Sequence, residues 1–315
     1  MQLISFLIFY PLLWIVSKVP FRILYILSDI SYWVLYRIVG YRKKTVRENL
    51  QIALPHFSDY KRKQVEKKFY QHFCDSFLEM IKTMTISERE MEKRFKIKNI
   101  DLVKEFEAKG KSVILVCAHY SSYEWLLIMN KYLNFKGFGV YKKLRNKYFD
   151  QMIRNVRGKF GGTLVNSKDI KDTLKSNQES GIKGYYGFVS DQSPKLRKVN
   201  HFTQFFGVNV PVFTGAEFLA KKHDMNIMFV KGKKVKRGYY TAEFVSPKKD
   251  IYEYSDYELT DEFFRLLESQ ILEAPEYYLW THKRFKHKKL NTPSKCSRVF
   301  CPVYPLVLKQ QLKVS

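Results

Sequence analysis

Cysteine is scarce: the chain has 315 residues and 4 Cys, at positions 74, 117, 296 and 301. Their spacing matches neither a zinc-ligand set nor a secretory disulfide framework, so a reducing compartment is expected. Glycine (14) and proline (10) are too few for a collagen-like or low-complexity chain. Long hydrophobic runs are missing too. No stretch of about 18 uncharged apolar residues occurs, which excludes a polytopic membrane protein. Acidic residues are short: 30 Asp+Glu stand against 56 Lys+Arg, a formal charge of +26. Aromatic residues, in contrast, are abundant, with 25 Phe, 22 Tyr and 4 Trp. A chain 45% hydrophobic is not intrinsically disordered. One large globular domain remains, acting on something anionic, either nucleic acid or a membrane surface.

The N-terminus bears on that choice. Residues 3–16 (LISFLIFYPLLWIV) are apolar but too few to cross a hydrocarbon core of about 30 Å. They lack the basic start and small-residue cleavage site of a signal peptide. In 21–39 (FRILYILSDISYWVLYRIV), Arg22, Asp29 and Arg37 fall on one narrow polar stripe of a helix otherwise covered by apolar and aromatic side chains. Such a helix either lies in a core or rests in a membrane interface, where Trp and Tyr suit the headgroup level. The basic run YRKKTVRENL (41–50) follows directly, as at an anionic lipid surface.

Residues 58–84 carry Phe69, Phe73, Phe77 and Met80 at helical spacing. Beyond residue 112 strands and helices alternate. SVILVCA (112–118) reads as a strand buried on both faces. A helix is predicted over 121–133, a strand over 138–142, and a helix from Asn146 to Phe160 closed by Gly161-Gly162. A strand is then expected at 163–166, a helix at 168–179 and a strand at 184–190. A helix at 215–223, strands at 226–232 and 239–245, and a helix at 260–273 complete the series. This pattern predicts an α/β fold, a mostly parallel or mixed sheet flanked by helices, preceded by a membrane-associated helical segment. The expected division is 1–40 membrane helices, 41–289 catalytic domain and 290–315 a tail without assigned structure.

Sites in open α/β sheets form beyond the carboxyl ends of strands. His119 stands at one such end and Asp191 at another. His119 and Glu124 converge if His119 lies in the turn and Glu124 on the first helical turn. Glu124 then accepts from one imidazole nitrogen and frees the other as a base, and the helix N-terminus helps keep the ring neutral. Ser121-x-x-Glu124 reads equally as a capping box without catalysis. Cys117 is discounted as a nucleophile because its neighbours are apolar. Residues 183–189 (KGYYGFV) approach an RNA-recognition strand motif, but one extra residue would flip the stacking side chains to the other face.

The ordered set of motifs resembles the bacterial late acyltransferases of lipid A biosynthesis, within the wider lysophospholipid acyltransferase group. It comprises the apolar N-terminus with YRKKTVRENLQIALP (41–55), His119-x4-Glu124, GVYKKLRNKYFDQMIRNVRGKFGG (139–162), SDQSP (190–194), QFFG (204–207), PVFTGAEFLA (211–220) and PEYYLWTHKRFK (275–286). The resemblance implies acyl transfer from an acyl carrier protein thioester to a hydroxyl of an anionic glycolipid, the lipid A precursor. It implies work at the cytoplasmic side of the inner membrane, without nucleic acid, metal or other cofactor. It makes His119 the general base, Glu124 its partner, and Arg157 and Asp191 residues of the substrate site. Backbone N–H groups at the helix start, or Arg157, would stabilise the oxyanion. Tyr141 and Lys142 match the family's tyrosine–basic pair, with Lys143 where proline is usual. Headgroup contacts fall to Arg157 and the basic run from His282, Lys283 and Arg284 to Lys289. Two alternatives stay open: another acceptor, such as an aminolipid or glycolipid, and a non-catalytic basic protein that binds membrane or nucleic acid.

Overall fold

The computed structural model describes residues 1–288. The expected tail 290–315, with Cys296 and Cys301, and Lys289 lie outside the described residues.

The strands are β1 (Phe95–Ile97), β2 (Val113–Cys117), β3 (Lys136–Tyr141), β4 (Thr163–Asn166), β5 (Gly184–Val189), β6 (His201–Phe205), β7 (Val208–Val212), β8 (Asn226–Lys236) and β9 (Tyr239–Val245). Seven form one sheet in the order β1-β9-β8-β2-β5-β3-β4. Every pairing is parallel except β8 with β9, so the sheet is mixed and the class is α/β, as the sequence predicts. All five residues of β2 are buried. Ile114 and Val116 enter one core cluster, and Val113, Leu115 and Cys117 the other, so both faces of the sheet are covered. β5, between β2 and β3, buries Tyr185 and Tyr186 and offers neither ring as a base-stacking platform.

The α-helices are α1 (Gln2–Lys18), α2 (Phe21–Trp33), α3 (Lys43–Ala53), α4 (Asp59–Lys82), α5 (Glu88–Arg94), α6 (Ile100–Ala108), α7 (Lys147–Gly158), α8 (Ile170–Glu179), α9 (Gly215–Lys222) and α10 (Glu258–Glu273). α4 begins at a Ser58 cap whose side chain accepts from the Lys61 N–H. Its buried face is rotated from the predicted one. Phe69, His72, Asp75 and Glu79 turn inward, while Phe77 is exposed. Polar residues can lie inside because α2 and β8–β9 supply partners for them.

α2 buries a narrow face and leaves Arg22 and Asp29 of the predicted polar stripe exposed, beside much of its apolar surface. Its inner side carries Leu24, Ser28 and Tyr25. Ser28 Oγ donates to Asp75 at 2.8 Å, and Tyr25 Oη donates to Glu79 at 2.9 Å. Asp29, from the predicted polar stripe, pairs with Arg237, which also binds Asp75. Ile23, Ile26, Ile30 and Trp33 are left exposed, as are Leu7, Ile8, Leu12 and Ile15 on α1. The helix widens over Val34–Val39 and stops at Gly40, whose φ of +64° suits a left-handed cap. Among the described residues no single helix is long and apolar enough to cross a membrane. Phe21–Val39 and α3 would qualify only as a pair bent by 95°.

The elements α5, β1 and α6 have no counterpart in the sequence reading, and two further segments depart from it. Residues 121–133 do not form an α-helix; a tighter 3₁₀ helix runs over Tyr123–Lys131. The hairpin β6–β7 was not predicted, because its strands are short and its turn, Phe206-Gly207, carries no Asn or Asp. Both turn residues have positive φ, 52° and 69°, the geometry a two-residue hairpin demands.

Candidate active site

β2 and β5 pair in parallel with Cys117 opposite Val189. The chains run on together, and the Ser190 N–H donates to the Cys117 carbonyl at 3.0 Å. His119 and Asp191 therefore emerge side by side. Asp191 Oδ1 accepts from the His119 backbone N–H at 3.1 Å and from its Nδ1 at 2.7 Å. The imidazole side chain is 18% exposed and the carboxylate 2%. Nδ1 is thereby committed as a donor, and Nε2 is the nitrogen left to exchange a proton. The Gln192 amide lies 3.3 Å from it.

Glu124 is not the partner of this imidazole, contrary to the sequence expectation. Ser121 has φ +56° and turns the chain sharply after His119. The Tyr123 ring then packs edge-on against the imidazole, 4.9 Å between centroids. Glu124 passes to the far side and forms a two-pronged pair with Arg157 of α7: Nε to Oε2 at 2.7 Å, and Nη2 to Oε1. The capping box does not form either, since the 3₁₀ helix starts without a side-chain cap. Arg157 is drawn into the site rather than lying on a solvated face. The sequence marks Asp191 as a strand-end candidate and, through the resemblance, as a substrate-site residue; its contact with His119 joins two strands and has no local signature.

Electrostatics follow from these pairs. Burial favours neutral imidazole, but the charge and hydrogen bond of Asp191, with the Glu124 charge, outweigh it and raise the His119 pKa. The expected neutralising effect of a helix N-terminus is overridden. Burial would raise the Asp191 carboxyl, yet His119 holds it below the ordinary value. Burial pushes the Cys117 thiol up to about 12, which agrees with discounting it as a nucleophile.

Segment 275–286 forms the back wall. The Leu279 N–H donates to the His119 carbonyl at 3.1 Å, and the Ser121 N–H to the Tyr277 carbonyl at 2.9 Å. Asn49 of α3 donates to the carbonyls of Trp280 and His282, both at 2.8 Å, and Arg42 to that of Thr281 at 3.0 Å. Part of the basic 41–50 run thus braces the site from behind. Arg284, expected at a headgroup, is 1% exposed and lies against Phe205 and Phe264. Tyr141 donates to Asp150 and accepts from Arg154 Nε at 2.7 Å, so it organises the start of α7; Lys142 and Lys143 are exposed. Beside Ser121 and Tyr123, a narrow crevice with room for little more than a single water runs between Phe95, Leu126, Val230 and Ala242.

The sequence profile described as "Bacterial lipid A biosynthesis acyltransferase" matches residues 2–287. Lipid A biosynthesis lauroyltransferase of Escherichia coli K12 is 24% identical over 290 residues, covering 90% of this chain and 92% of that protein. The palmitoleoyltransferase of the same organism is 21% identical, covering 90% and 91%. A lipid A biosynthesis acyltransferase of Haemophilus influenzae is 25% identical over 293 residues, covering 90% and 87%. The chain belongs to the bacterial lipid A biosynthesis acyltransferase family, and it is an acyltransferase.

Proposed function

We propose that this enzyme moves a fatty acyl chain from an acyl carrier protein thioester to a hydroxyl of a lipid A precursor. His119 is the general base, and the carrying observation is its orientation. Asp191 fixes Nδ1–H, so Nε2 presents a lone pair towards the partly open side of the site.

Nε2 removes the proton from the acceptor hydroxyl as its oxygen attacks the thioester carbonyl carbon. A C–O bond forms, and the carbonyl π electrons move onto oxygen. Collapse of the tetrahedral species breaks the C–S bond, and the imidazolium returns its proton to the leaving thiolate. No covalent enzyme intermediate is required. Asp191 remains ionised and steadies the imidazolium, as the acidic member of a triad does. Glu124 acts one step away: it holds Arg157, and Tyr123 between them keeps the imidazole face dry.

Two surface features support the partners in this reading. Exposed apolar side chains of α1 and α2 suit the cytoplasmic face of the inner membrane. Exposed Lys142, Lys143 and Arg145 follow β3, and Lys195, Arg197 and Lys198 follow Asp191. β3 and β5 are neighbours, so this positive charge flanks the strand ends that carry the site. It suits the phosphates of a glycolipid and the acidic surface of a carrier protein.

The test is mass spectrometry of lipid A from cells with the gene, without it, and with His119→Ala. Loss of one acyl chain in the latter two supports the reading. An unaltered lipid A alongside a changed aminolipid would move the assignment to that acceptor.

A further inference from the structure

Arg284 is a guanidinium buried to 1% exposure that forms no ion pair among the described residues. Burying such a charge costs several kcal/mol unless other groups compensate it. Its hydrogen-bond partners are neutral: Nη1 donates to Ser193 Oγ at 2.8 Å and to the Pro211 carbonyl at 2.9 Å. Among the described residues Nε and Nη2 have no hydrogen-bond partner, and the group lies against the rings of Phe205 and Phe264. Burial lowers the Arg284 pKa against the opposing influence of Tyr278 and of the Asp191 carboxylate.

Ser193 links Arg284 to Asp191. Its Oγ accepts from Arg284 Nη1 and donates back to the Arg284 carbonyl at 3.2 Å. Its backbone N–H donates to His282 Nε2 at 3.2 Å. Burial lowers the His282 pKa to about 4, so this ring is a neutral acceptor. Both the backbone N–H and the hydroxyl of Ser193 are therefore held by residues 282–284, two positions beyond Asp191.

We propose that Arg284 is a positioning residue for the His119–Asp191 pair, fixing the 191–194 turn through Ser193 and setting its own charge against the Asp191 carboxylate. This rests on His119 being the base. The Asp191 oxygen must stay within hydrogen-bond reach of Nδ1, and a displacement of about 1 Å costs on the order of 10²-fold in rate. The positive charge also offsets the attraction of Asp191 for an imidazolium. His119 is faced as well by Glu124, Arg157 and Tyr123 from the opposite side, and by His282 from the back wall. Of these, His282 is itself acted on by the Arg284 charge, which helps keep that ring neutral.

The experiment compares full-length Arg284→Met, Arg284→Lys, Ser193→Ala and His119→Ala in acyl transfer from acyl carrier protein thioester to a lipid A precursor across pH. Arg284→Met is expected to lose about 10²-fold in kcat with both KM values unchanged. Its acid limb should move to higher pH, because the imidazolium is then attracted by Asp191 without opposition. Arg284→Lys keeps the charge, so its limb stays in place and part of kcat returns. Ser193→Ala lowers kcat without moving the limb. A folded Arg284→Met with wild-type kcat and limb overturns the proposal, as does a rise in KM alone. Should Arg284→Met fail to fold, wild-type kcat in Ser193→Ala overturns it. An inactive His119→Ala beside unaffected Arg284 variants sinks only this inference; a fully active His119→Ala sinks the base assignment itself.

Discussion

His119 and Asp191 stand 72 residues apart, the same offset that sets Val113 against Tyr185 and Cys117 against Val189 along β2 and β5. The pair is thus the continuation of a strand pairing beyond the last sheet residues. Its precision comes from the register of two buried strands, and one residue of slip would separate the groups.

Asp191→Asn keeps the size and one acceptor oxygen but removes the charge. The imidazolium loses its main support, so the His119 pKa falls and the acid limb of kcat moves to lower pH. The rate should drop by about 10³- to 10⁴-fold, as for the acidic member of other triads. A pH–rate profile of the purified variant checks both parts; an unmoved limb would separate Asp191 from the titration of His119.

Glu124 and Arg157 should behave as one unit. Removing either alone leaves the other partly buried and unpaired, at a cost of about 3 kcal/mol. The double variant Glu124→Gln/Arg157→Gln should be no less stable than the worse single variant. Thermal unfolding of the four proteins measures this directly. Strictly additive losses would mean that the pair is not coupled.

The wild-type acid limb should lie above the ordinary imidazole value. Asp191 and Glu124 favour the charged ring more than burial disfavours it. NMR titration of His119 in the free enzyme is the check, and a value below 6.5 would contradict it.

Glu79 makes stability fall as pH rises. Burial, reinforced by Asp75, raises its pKa to about 7 despite O–H donors from Tyr25 and Tyr240. The folded state holds this proton while the unfolded chain releases it near the ordinary value of 4.5. Stability contributed by the protonated form is present at low pH and lost across that window, by about 3 kcal/mol. Glu79→Gln should flatten the decline in Tm between pH 5 and about 7.5; an unchanged slope would assign the dependence elsewhere.

Ile23→Ser, Ile26→Ser and Ile30→Ser together alter only exposed side chains of α2. Fully burying an Ile is worth roughly 1.5–3 kcal/mol, so even partial insertion should make vesicle binding at least about tenfold weaker in the triple variant. Tm should not change. Flotation with anionic vesicles reads the result, and undiminished binding would remove α2 from the membrane contact.

Much of the sheet could be read from the sequence because β2, β3, β5, β8 and β9 are concentrated apolar runs. The position of His119 followed from the end of such a run. Its partner did not, since the spacing to Glu124 is local whereas strand register is decided by the whole core. Ser121 escaped for a related reason: serine at positive φ has no compositional mark. The polar face of α2 was visible, but not its direction. Ser28 points inward because Asp75 is there to meet it, while Asp29 stays exposed at the rim and reaches Arg237, far away in the chain.

That orientation bears on attempts to make a shorter, detergent-free enzyme. Removing residues 1–39 would delete a greasy surface, but it would also strip Ser28 from Asp75, Tyr25 from Glu79 and Asp29 from Arg237. Lys82 would lose the Ser17 and Val19 carbonyls that hold its ammonium. The trimmed protein would thus expose a broken polar interior in place of a hydrophobic exterior. Solubility is better sought by recolouring the outer face of these helices than by cutting them away.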